Sequence, residues 1–112
     1  GTITLDKWFK EFRINTNHPW DANDLAKLFK RRRKYFPKAA ENLELVKALS
    51  NFKAAIETNL EKIDDKTARR FKTAVEKTVN SGLPQSFTLK MPVIKGEPEV
   101  EFTVDIFLLR VS

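Results

Sequence analysis

Catalytic sites need nucleophiles, bases or metal ligands brought into one constellation. This chain of 112 residues offers few of them: one histidine, His18, and no cysteine. Thiolate nucleophiles, disulfides and cysteine-held metals are excluded together. Ser50, Ser81 and Ser86 are the hydroxyls a Ser-His-Asp arrangement would draw on, and none sits in a nucleophile elbow. Three glycines build no phosphate-cradling loop. Asp64-Asp65 has the look of a helix cap rather than a metal site. Glu99, Glu101 and Asp105 alternate along a segment and would share one strand face, as carboxylates do in a two-metal nuclease. Lys90 lies across from them, however, which favours a cross-strand charge ladder. The expectation is a protein that is not an enzyme, with no cofactor and no metal.

The cations carry the stronger signal. The net charge is +6, and residues 7–38 hold ten basic residues against three acidic ones. Placed at 100° per residue, Lys27, Lys30, Arg31 and Lys34 line one side of a helix opposite Leu25, Leu28, Phe29 and Phe36. Lys38 extends the line. Lys66, Arg69, Arg70, Thr73 and Lys77 form a second stripe opposite Ala68, Phe71, Val75 and Val79. Like charges at i+3 and i+4 repel by a few tenths of a kcal/mol per pair. A solvated face usually mixes signs, so a one-sign stripe points to an external anion. Spaced phosphates of a nucleic-acid backbone fit best, with an acidic protein next and a membrane last. A plain solvated surface, or a localisation patch over Lys30–Lys34, is the bland alternative.

Two nearby residues need separate readings. Trp20 shares a loop with His18 and could stack on a base, although a Trp beside a helix start more often packs back onto it. Arg32 falls between Phe29 and Phe36 on the apolar side. It either snorkels out at the helix end or pairs with a carboxylate, and snorkelling is the expectation.

These residues must be held by elements, and the pattern predicts an α+β fold in a single domain over 1–112. Leu5, Trp8, Phe9 and Phe12 predict a helix over 5–13, with Thr4 as its cap. Asp21 and Asp24 open a second helix over 22–36, stopped by Pro37. Leu45, Leu49, Phe52, Ile56 and Ile63, flanked by Ala48 and Leu60, predict one long core helix over 38–63. Asp64-Asp65 would cap a fourth helix over 65–80, burying Ala68, Phe71, the Lys72 stem, Val75 and Val79 and closing on a left-handed Gly82.

Beyond Pro84 the period falls to two and predicts a hairpin of strands 86–94 and 99–111. Its expected register sets Val93 against Val100, Met91 against Phe102, Leu89 against Val104 and Phe87 against Ile106. Pro92 marks the first strand as an edge. Ile106, Phe107, Leu108, Leu109 and Val111 are apolar on both faces of the second strand and need cover. Helices of the same chain, a short strand from Thr2-Ile3-Thr4, or a second copy would supply it, so a homodimer interface is expected there. No apolar run reaches membrane-spanning length, and an intracellular protein is expected, cytoplasmic, or nuclear in a eukaryote. The functional expectation is a small basic module gripping nucleic-acid backbone without sequence preference. The alternative is an assembly component that oligomerises through its C-terminal strand.

Overall fold

The structure, a computed structural model, describes residues 2–64 and 67–112. Helix formation follows the caps more closely than the apolar periodicity. Asp6, rather than Thr4, caps α1 (Lys7–Glu11) by accepting from the backbone N–H groups of Trp8 and Phe9. No residue of α1 is buried: Phe12, just past its end, is the anchor, with Phe9 half-buried and Leu5 and Trp8 exposed. Asp21 caps α2 (Ala22–Arg31) through Asn23 and Asp24 as expected, and it also meets the Lys53 ammonium at 2.8 Å. That ammonium, helped by the N–H groups at the helix start, holds the Asp21 carboxyl below the usual carboxylate range.

α2 ends earlier than predicted. A 3₁₀ turn over Arg33–Tyr35 follows it, and Phe36 is extended, as a residue before proline should be. The predicted long helix is two, α3 (Ala39–Ser50) and α4 (Phe52–Glu61), separated at Asn51. Ser50 Oγ donates to the Val46 carbonyl at 2.7 Å, a back-bond that bends helices. The core spacing survives the break, since Leu45, Leu49, Phe52 and Ile56 are buried, with Ala48, Leu60 and Ile63 partly so.

α5 (Arg70–Gly82) starts later than predicted and is rotated. Its buried residues are Ala74 and Thr78, while Ala68, Phe71 and Lys72 are exposed and Val75 and Val79 half-buried. Small residues let α4 approach closely, and Asn59 Nδ2 donates to Thr78 Oγ1 at 2.8 Å, which in turn donates to the Ala74 carbonyl at 2.7 Å. Asp64 is exposed and is not the cap residue of α5, which is Arg69, and Asp65 lies outside the described residues. Gly82 is the last helical residue and has no positive φ.

The last elements form an antiparallel hairpin, β1 (Ser86–Met91) and β2 (Val100–Asp105), so helices and strands are segregated as in an α+β fold. The register differs from expectation by two residues: Met91 faces Val100, Leu89 faces Phe102 and Phe87 faces Val104. A two-residue slip keeps every side chain on its predicted face. The cause is the N-terminal segment. Asp6 N–H donates to the Val93 carbonyl and Lys95 N–H to the Thr4 carbonyl, with Leu5 bridging Ile94, so Val93 and Ile94 pair there.

β2 stops at Asp105, whose carboxylate caps a 3₁₀ turn over Ile106–Leu109. Ile106, Leu109 and Val111 enter the protein's own core, Leu108 is half-buried, and Phe107 alone of the five is strongly exposed. The predicted continuation of the strand over 106–111, apolar on both faces, is therefore corrected. Trp20 bridges Val111, and Ala22 N–H donates to the Ser112 carbonyl. One continuous core runs from Phe12 to Val111, centred on Phe29, whose ring lies 5.0–6.1 Å from those of Phe12, Phe36 and Phe87. Each such side chain contributes about 1.5–3 kcal/mol by leaving water.

Candidate nucleic-acid interface

The buried face of α2 is Ala22, Leu25, Ala26, Leu28 and Phe29. Packing that face on α3 turns Lys27, Lys30 and Arg31 to solvent, and Lys34 and Lys38 are exposed beyond the helix end. Early termination adds Arg33. Continued as an α-helix, the chain would have laid Arg33 over the apolar face, whereas the 3₁₀ turn leaves it exposed. The five-residue basic run was the sequence signal for this residue, and ideal helical projection hid it.

Lys27, Lys30, Arg31, Arg33, Lys34 and Lys38 form a ridge with no carboxylate within 4.0 Å of any cationic end among the described residues. Lys34 Nζ sits 5.3 Å from the centroid of its neighbour, the half-buried Tyr35.

Arg32 is withdrawn from the ridge. Its guanidinium donates to both Glu11 oxygens at 2.8 and 3.1 Å and stacks 4.4 Å above the Trp8 ring. The carboxylate stabilises the charged form and raises the Arg32 pKa. The expected snorkelling is corrected: the residue pairs, because α1 places Glu11 within its reach.

The second stripe does not hold together. Lys66 lies outside the described residues. Arg70 Nη2 donates to the Leu60 carbonyl at 2.7 Å in the last turn of α4, an oxygen that also accepts the Ile63 N–H. Arg69 precedes the helix, and Lys77 remains exposed with Glu76 beside it. α5 packs on α4 and α2 on α3, so the two stripes belong to separate helix pairs.

Trp20 offers no stacking face. It is 8% exposed, its Nε1 donates to the Phe12 carbonyl at 2.7 Å, and the Arg13 guanidinium covers the ring at 3.6 Å. His18 is exposed in the same loop. Glu101 stands opposite Lys90, whose ammonium lies 3.9 Å from Glu99. No group of three or more His, Asp or Glu side chains among the described residues is placed to share a metal.

Two polar residues escaped the sequence reading. Asn42 is fully buried and donates to the Phe29 carbonyl at 3.1 Å, and Glu41 accepts the Thr88 N–H on the free edge of β1. Polarity alone gives no signal for either contact, since both partners are distant in sequence. Both fasten α3 beside the ridge-bearing helix and the sheet. Among the described residues no helix is long and apolar enough to cross a membrane. Comparison with protein-family models, with curated proteins and with solved structures gave no match.

Proposed function

We propose that this protein is a nucleic-acid-binding module that grips the phosphate backbone through the α2 ridge. The observation that carries the reading is the exposure of Lys27, Lys30, Arg31, Arg33, Lys34 and Lys38 without a carboxylate partner among the described residues. A ridge of one sign, left uncompensated by its own protein, gains most from a partner with regularly spaced negative charge. Its contacts are to phosphate and not to base edges, so binding tolerates any sequence. A buried Trp20 removes the stacking contribution and favours backbone contact alone. The cations near α5 are not needed: Arg69 and Lys77 act as peripheral charges at most.

The test is fluorescence anisotropy with single- and double-stranded DNA and RNA, repeated with an acidic peptide and with anionic vesicles. Nucleic acid binds at low salt, and K30E/R31E/K34E does not bind while its circular dichroism is unchanged. Failure of every nucleic acid at low salt rejects the reading, and tighter binding to peptide or vesicle replaces it.

A further inference from the structure

A second surface lies on another element pair. α5 and the 3₁₀ turn over Ile106–Leu109 enclose an open groove of about 660 Å³, walled by Val75, Val79 and Phe107 and rimmed by Glu76 and Arg110. Phe107 is 75% exposed. Phe71, one turn before Val75, continues the apolar line of α5 and is 61% exposed. The patch thus carries a recess and a projecting ring side by side.

Its charges are also matched. Glu76 and Arg110 are both exposed, and neither takes an ion-pair partner among the described residues. Arg110 has φ +50°, a left-handed conformation that side chains disfavour. That turn lets buried Leu109 and Val111 flank it while its own side chain stays at the groove rim.

We infer that the groove is closed by a second copy of this chain, related by a two-fold axis, with Phe107 of each protomer seated in the partner's recess. A two-fold interface demands a patch that contains both members of each contact. Here the ring and the recess are one pair, and Glu76 and Arg110 are the other, so each acid meets the opposite protomer's guanidinium. An unrelated peptide would need its own aromatic and its own charges of both signs in the same arrangement. The inference is independent of nucleic-acid binding, because it uses none of the ridge residues.

Sedimentation velocity from about 10 µM to about 1 mM gives a monomer–dimer equilibrium for the wild type. Phe107→Asp, at a position already in water, shifts the chain to monomer. Glu76→Arg and Arg110→Glu are each monomeric alone, since one presents two cations and the other two anions across the axis. Mixed, they associate, because a heterodimer restores both charge pairs. An intramolecular Glu76–Arg110 pair would not produce that rescue. Circular dichroism confirms that each variant is folded. A wild type that stays monomeric throughout, a Phe107→Asp variant as dimeric as the wild type, or folded single variants that ignore one another on mixing overturns the inference.

Discussion

Replacing Lys30 with alanine removes one unpaired cation from the ridge and touches nothing else the fold relies on, since the residue is exposed and bonded to no carboxylate. If Lys27, Lys30, Arg31 and Lys34 each neutralise one phosphate, the slope of log affinity against log salt is about −3.6 on duplex DNA and about −2.8 on a single strand. Raising salt from about 50 to about 200 mM then costs ~150-fold and ~50-fold in affinity respectively. Lys30→Ala should flatten the duplex slope to about −2.7, reducing the loss to ~40-fold. The assay is fluorescence anisotropy at four or more salt concentrations. Lys90→Ala is the control, because its ammonium already stands 3.9 Å from Glu99 and should leave the slope unchanged. The reasoning is refuted if Lys30→Ala and Lys90→Ala act alike, or if a steep slope survives loss of the ridge cations.

Other outcomes follow from the packing. Phe29→Ala, at the meeting point of three other rings, should cost about 3–5 kcal/mol in urea unfolding, whereas Phe71→Ala should stay within about 0.5 kcal/mol. The reverse ranking would place the wrong face of α5 inward. Thr78→Val keeps the shape but strands the Asn59 amide and should lose about 1–3 kcal/mol by the same measurement. Asp21 has a depressed folded-state pKa, so its contribution is full above the unfolded-state value and disappears as pH falls through the folded one. The melting-temperature gap between wild type and Asp21→Asn should therefore be present at neutral pH and close on acidification below the usual carboxylate range. A gap independent of pH would refute the Lys53 pairing.

The parts legible in the sequence were those decided locally. Asp21 opens α2 by capping and Pro37 keeps Phe36 extended by sterics, although the helix itself ends earlier, at Arg31, and Leu45, Leu49, Phe52 and Ile56 keep one face through the break at Asn51. The hairpin faces were readable because period two fixes them whatever the register. What failed depended on distant partners. The register slipped by two because Thr4–Asp6 captured Val93–Lys95. Helical spacing puts Phe71 on the core face with Val75 and Val79, yet α5 instead buries the smaller Ala74 and Thr78 against α4. Arg32 and Arg70 were assigned by helical angle, and their roles are set by Glu11 and by the Leu60 carbonyl. Within the ridge, composition found the cations, while the helix end decided which ones point outward.

The tie between Trp20 and Ser112, 92 positions apart, has a bearing on how the chain acquires its shape. The first turn of α2 donates a backbone N–H to the Ser112 carbonyl, and Leu109 and Val111 complete the core it rests on. Closing so large a loop loses entropy before any contact compensates it, which slows the search relative to a helical bundle of equal size. A nascent chain lacking this segment holds Phe29 and its neighbours without their last cover.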